Sequence, residues 1–230
     1  MNEEKTCKYL SVSRFGRYLF ACRNDVGRAQ SLYKANLLIA SRFHPLLGVI
    51  EVALRNSLDR VLSRHFDDPD WILHRTSLIW KTIELYGISK NISRSEDVLK
   101  NNHSPITAGR IIAEQPFNTW TMMFQSKTYG KLNGIPIQAF PNRGSKQRRE
   151  IENTLTQIRK FRNRINHNEP ICFKNSIVDL SYVTNIHQHI VNALQWIDPD
   201  LYEWVKDMDT VELIIKKTNI ANAQTPSVRH

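Results

Sequence analysis

Between Gln157 and Ile171 the chain reads QIRKFRNRINHNEPI, and several of its side chains suit one kind of reaction. A histidine that titrates near neutrality can carry a proton to or from a sugar hydroxyl or a leaving oxygen, and an arginine can stabilise charge on a phosphate in flight. His167 and Arg162 are residues of those types, with Asn163 and Asn166 on the polar edge between them. Cleavage of an RNA phosphodiester by its own 2′-hydroxyl needs such groups and no metal. At about 100° per residue, Arg162 falls about 40° from Ile158, which puts a guanidinium inside an apolar stripe, a costly place unless it is paired or held at an interface. His167 comes at the last turn, where the negative end of the helix dipole favours an imidazolium. Spacing alone suits a structural role better: Arg162 in an ion pair and His167 capping the helix. Arg60 and His65 repeat the same spacing with nothing else around them that suggests a site.

The chain has 230 residues, with 32 Lys and Arg against 22 Asp and Glu, a net charge of +10. That balance favours a polyanion as partner. Much of the excess lies in one segment, where Arg143, Lys146, Arg148, Arg149, Arg159, Lys160, Arg162 and Arg164 face only Glu150 and Glu152. Arg143, Lys146, Arg148, Arg149, Arg159, Lys160 and Arg164 are the candidate RNA-binding residues, although a solvated basic face has the same composition. Cys7, Cys22 and Cys172 are odd in number and widely spaced, so they read as reduced thiols and not as a zinc or redox motif. The histidines, His187 and His189 included, form no metal set with nearby carboxylates; neither a metal nor a cofactor is expected. The N-terminus lacks an apolar signal region, and PLLGVIEVAL is too short to span a bilayer and contains Glu51. A cytoplasmic protein without a membrane partner is expected.

The elements that must position Arg162 and His167 read as helices throughout, with no alternating β-branched run, so the fold class is all-α. Ser13 is expected to cap a helix carrying Phe15, Tyr18, Leu19 and Cys22, and Asp25 one carrying Val26, Ala29, Tyr33, Leu37 and Ala40. Past Pro45, the residues Leu47, Ile50, Leu54, Leu58, Val61 and Leu62 give an amphipathic helix to about Phe66. Helices are expected over Trp71–Tyr86 and Ser89–Asn101, after Thr107, and from Pro116. GKLNGIPIQAFPNRG is the long connection before the helix with Ile151, Leu155, Ile158 and Ile165, which Pro170 ends. A further helix from about Ser176 carries Leu180, Val183, Ile186, Ile190, Leu194 and Ile197 and stops at Pro199. Residues 1–217 read as one domain, with 71–140 a less regular helical insertion and 218–230 a flexible tail. Each of the five tryptophans sits beside an apolar pattern and is expected in the core.

RNRINHNEP resembles the R-N-x-x-x-H signature of HEPN ribonucleases, here Arg162, Asn163 and His167, with the H-x-E-P continuation of Abi-like (abortive infection) proteins, here through Glu169. The N-terminal helices, with their L-x-x-x-E-x-A-L-R-N core at Leu47, Glu51, Ala53, Leu54, Arg55 and Asn56, are similar to that family's opening. PFNTWTMMFQSKTYGKL followed by AFPN fits its order. Together the blocks cover most of residues 9–173. The resemblance implies a HEPN-type bundle, with additional helices between the N-terminal helices and the R-N-x-x-x-H helix. It also implies a homodimer that brings the Arg and His of two protomers to one cleft, where RNA is cut. It implies a toxin or antiphage effector restrained by a protein or RNA antitoxin. Glu51, Arg55 and Asn56 are expected in a buried network that stabilises the bundle; with Asn166 and Glu169 they complete the supporting set.

Two readings of other classes compete: a catalytically silent RNA-binding module, and a protein-interaction module of a defence or toxin-antitoxin system. A DNA-binding regulator is a weaker rival, because no helix-turn-helix pair with a basic recognition helix is evident.

Overall fold

The computed structural model describes residues 1–74, 81–175 and 177–223, with the side chains of residues 219–223 left aside. Helix accounts for 73% and strand for 2%, which bears out the all-α expectation. Two compact units are distinguished: Met1–Leu47 with Phe161–Gln188 and Val205–His230, and Gly48–Lys160 with His189–Trp204.

In the first unit α1 (Glu3–Leu10) was not anticipated, although its signals are plain. The Asn2 side chain accepts from Lys5 N–H at 3.0 Å, Glu3 and Glu4 fill the first turn and Lys8 the last, all in the sense the helix dipole favours. The cap of α2 (Val12–Ala21) is Ser11, whose hydroxyl accepts from Arg14 N–H, and not Ser13, which already lies inside the helix. Arg23 and Asn24, both at positive φ, turn the chain into α3 (Val26–Arg42), which Asp25 caps as expected, accepting from Arg28 N–H at 2.9 Å. The buried face of α3 is Ala29, Leu32, Asn36 and Ile39, so the expected inward Leu37 is exposed. Only Phe43 separates α3 from α4 (His44–Phe66), where Pro45 sits in the first turn and restarts the helix. Taken as one stretch, Val26–Phe66 is long and apolar enough to cross a bilayer by composition. Core helices share that composition, and Ile39, Phe43, Leu46 and Ile50 are each at most 1% exposed.

α9 (Arg148–Asn166) ends in this unit, followed by a hairpin of β1 (Phe173–Lys174) and β2 (Ile177–Val178), antiparallel with Phe173 opposite Val178. The hairpin was not expected; it delays the start of α10 (Ser181–Ile197) from Ser176 to Ser181. Two residues per strand are too few for alternation to announce. Tyr18 packs edge-on against Tyr33 and Phe173, at 5.1 and 5.0 Å between ring centroids, and Phe43 against Phe161 at 4.6 Å. His187, on α10, meets the buried Asp209 carboxylate at 2.6 Å, a contact that satisfies the imidazole within the fold. α12 (Val211–Ala223) packs on α3 and carries helix into the stretch expected to be a flexible tail.

The second unit holds most of α4, then α5 (Tyr86–Asn101), α6 (Ala108–Glu114), α7 (Phe117–Met122), α8 (Ser126–Lys131), most of α9, the rest of α10, and α11 (Pro199–Val205). The helix expected over Trp71–Tyr86 is not seen in the described part: residues 71–73 and 82–85 are bends and turns, and 75–80 lie outside the described residues. Thr107 caps α6 and Pro116 opens α7 as expected. In the long connection a 3-10 turn spans Ile135–Ala139, preceded by Gly134 at φ 75°. Buried Gln115 donates to Ser95 at 2.8 Å and accepts from Thr119, whose hydroxyl in turn accepts from Asn91, so a polar chain pairs off within an apolar core that includes Trp120, Phe124, Phe140 and Ile88. Pro199 stops α10 as expected and also begins α11.

One bond in the first unit fixes the chain just beyond α9. Buried Asn36 on α3 accepts the Ile171 N–H at 2.8 Å, across 135 residues of sequence. Asn36→Leu leaves that buried N–H unpaired and should cost about 1–3 kcal/mol. Urea unfolding of the two proteins measures it as a lower midpoint at unchanged slope.

Candidate functional site

The buried face of α9 consists of Ile151, Thr154, Leu155, Ile158, Phe161 and Ile165. Phe161 was missing from the expected stripe, and it changes the place of Arg162. Toward the end of the helix the buried arc narrows onto Phe161 and Ile165, and Arg162 is left half-buried at its edge, not enclosed within it. Asn163, Asn166 and His167 are exposed.

The way α9 stops explains the run after Arg162. His167 N–H donates to Asn163 O at 3.0 Å, Asn168 N–H to Ile165 O at 2.9 Å, and Glu169 N–H to Arg164 O at 2.8 Å, with Asn168 at φ 51°. This is the paired C-terminal cap in which a left-handed residue reverses the chain and satisfies the last carbonyls. Asparagine is the non-glycine residue best suited to it. Pro170 then prevents the helix from resuming, so the H-N-E-P run is a stop signal in its own right. His167 stands at the cap, one turn beyond Asn163 on the same face, while Asn166 lies one turn beyond Arg162. The His167 carbonyl, left over by the helix, accepts from the Arg14 guanidinium of α2 at 3.4 Å.

Arg164 is drawn inward. It donates to Pro170 O, pairs with Glu169 at 3.4 Å and lies over the Tyr182 ring at 5.6 Å from its centroid. Glu169 thereby supports the turn from outside. In the second unit, half-buried Arg148 donates to Phe124 O at 2.7 Å, pairs with Glu152 and lies over Tyr129. Arg143, also half-buried, donates to Phe140 O at 3.1 Å. Exposed Lys146 pairs with Glu150 at 3.1 Å, a contact of small energetic weight in water. Arg159 is half-buried, whereas Arg149 and Lys160 are exposed. Much of the basic segment thus holds its own fold together, which composition could not reveal.

The three residues expected in a buried network, Glu51, Arg55 and Asn56, are not fully buried. Glu51 and Arg55 are half-buried, Arg55 donating to Ala113 O at 3.0 Å, and Asn56 is exposed. Asn56 lines a groove of about 610 Å³ with Val49, Val52, Leu201 and Trp204. Trp204 is 68% exposed, against the expectation of a core role; Trp71 and Trp120 are buried, Trp196 is half-buried and Trp80 lies outside the described residues. Burial pushes the Cys22 thiol up and the Cys172 thiol up to about 12, so neither is a thiolate nucleophile near neutral pH. Among the described residues no cluster of three or more His, Cys, Asp or Glu could hold a metal ion.

Arg14 was not among the residues expected at the site. Its only signal in the sequence is a basic residue in the first turn of a helix otherwise read for its apolar face. Because the position of His167 rests on the left-handed turn, Asn168→Val should cost about 1–2 kcal/mol, as a β-branched residue strains at positive φ, whereas Asn168→Gly should be near neutral. Thermal unfolding of the two variants beside the parent gives the comparison.

No family model matches the chain, and no curated protein or solved structure does.

Proposed function

We propose that the chain is a metal-independent endoribonuclease of the HEPN, Abi-like kind, acting as a toxin or antiphage effector. The observation that carries this reading is the end of α9, where His167 and Asn163 are exposed on one face beside half-buried Arg162, at a turn held by Asn168. The net charge of +10 and the resemblance of RNRINHNEP to the family signature support it.

In this reading the 2′-hydroxyl of the substrate attacks the adjacent phosphorus and the 5′-oxygen of the next nucleotide leaves. Products are a 2′,3′-cyclic phosphate and a 5′-hydroxyl, with one proton lost from the attacking oxygen and one gained by the leaving oxygen. His167 handles one of those transfers. Arg162 stabilises charge on the non-bridging oxygens, and Asn163 orients the phosphate or the imidazole. Two protomers pair so that both sets of residues face one cleft, and half-buried Arg162 sits at that seam. A protein or RNA antitoxin restrains the toxin. Exposed Arg149 and Lys160 supply charge toward the RNA, with Lys146 shared between Glu150 and phosphate.

His167→Ala should reduce kcat for RNA cleavage by about 10²-fold or more with little change in RNA affinity, since its contribution is to the transition state. Arg162→Ala should abolish cleavage, and should weaken a dimer seen by sedimentation. Both are assayed on antitoxin-free protein in EDTA. If His167→Ala cuts RNA as well as the parent, the nuclease reading is wrong. If the parent binds RNA without cutting it, the chain is the silent binding module instead.

A further inference from the structure

Around His167, the first unit gathers basic side chains that the α9 segment itself does not supply. Arg14 on α2 donates to the His167 carbonyl at 3.4 Å. One such bond uses little of a guanidinium, which carries five N–H donors in a rigid fork. Arg17 follows three residues later, on the same side of α2, where Cβ atoms lie about 5–6 Å apart. Arg17 is exposed, and its guanidinium lies over the Phe173 ring at 5.7 Å from the centroid. Stacking of that kind fixes the plane of the group and leaves its N–H edges for an acceptor. Phe173 is itself held edge-on by Tyr18, so the platform under Arg17 is part of the core. α2 contains no acidic residue. Lys174, beside Phe173, is exposed, and Glu169 is already paired with Arg164.

We propose that the Arg14–Arg17 edge of α2 is the phosphate-binding arm of the site at the end of α9, taking backbone phosphodiesters of single-stranded RNA next to the one placed at His167. This rests on the ribonuclease reading for what happens at His167, but not for the binding itself. Arg17 binds phosphate. Arg14 contributes charge and is also a positioning residue, because its bond to the His167 carbonyl ties the start of α2 to the residue that carries the imidazole. Within the first unit Arg164 is occupied with a carbonyl, the Glu169 carboxylate and the Tyr182 ring, so it does not compete for that role.

The test uses the full chain and a fluorescent 2′-O-methyl oligoribonucleotide, which binds as RNA does but lacks the attacking hydroxyl. Its affinity is followed from about 50 to about 200 mM salt. Arg17→Ala should weaken binding about tenfold and lower the slope of log affinity against log salt by about one, the signature of one lost phosphate contact. Arg149→Ala should have the smaller effect. On cleavable RNA, Arg14→Ala should lower kcat as well as raise KM, and Arg14→Lys should recover KM; a merely structural Arg14 would shift unfolding and leave the salt slope intact. Unchanged affinity and slope in both Arg17→Ala and Arg14→Ala would overturn the proposal, as would failure of the parent to bind the oligonucleotide. Loss of binding in Arg17→Ala, in a protein that cleaves no RNA, would leave the arm standing and remove the ribonuclease reading.

Discussion

The buried hydrogen bond from Ile171 N–H to the Asn36 side chain, 2.8 Å long, decides where the chain goes once α9 has ended. A helix terminus leaves its last carbonyls without partners, and the chain beyond it is free to leave in many directions. Here several of those groups are paired. Asn168 in the left-handed region lets its own N–H and that of Glu169 return to Ile165 and Arg164. Arg14 takes up the His167 carbonyl and Arg164 the Pro170 carbonyl. Asn36 then receives the first amide after Pro170, and from there Ile171 and Cys172 enter the core and Phe173 meets Tyr18. An imidazole on a cap fixed in this way is presented to solvent at a defined place, while the exposed faces of Asn163 and Asn166 stay clear of the packing.

Charge alone would have placed nucleic acid along the whole of residues 143–164. Half-burial separates those side chains into two groups. Arg143, Arg148 and Arg164 end on carbonyls, and two of them lie over aromatic rings. Arginine suits such places because its planar head is weakly hydrated and donates in several directions at once. Lys146, Arg149 and Lys160, turned outward, keep their hydration. A basic composition is therefore an upper bound on a basic surface.

How much could be read from the sequence depended on the range of the signal. Side-chain caps act over three residues, and Asp25 and Thr107 were found by that rule. Leu54, Leu58 and Leu62 repeat over several turns and marked the core face of α4. Ser11 was passed over for Ser13 because two serines stand two apart and only backbone geometry tells which is the cap. The two-residue strands carry no periodic signal of their own, whereas Phe161, three residues after Ile158 and four before Ile165, fits the α9 stripe and was legible there. Contacts such as Asn36 with Ile171, or Arg14 with His167, join positions 135 and 153 residues apart and leave no trace in local pattern. The types and spacing of the candidate site were legible. Its support was not, because it is built from tertiary contacts.

The central claim is a chemical one, that RNA is cut by its own 2′-hydroxyl at the end of α9. The measurement that meets it most directly is the identity of the new ends formed when purified, antitoxin-free protein acts in EDTA on an oligoribonucleotide and on its all-deoxy counterpart. The account predicts a 2′,3′-cyclic phosphate or its 3′-phosphate hydrolysis product, with a 5′-hydroxyl on the other fragment and the deoxy strand intact. Cleavage of the deoxy strand, a 5′-phosphate product, or complete loss of cleavage in EDTA would contradict it.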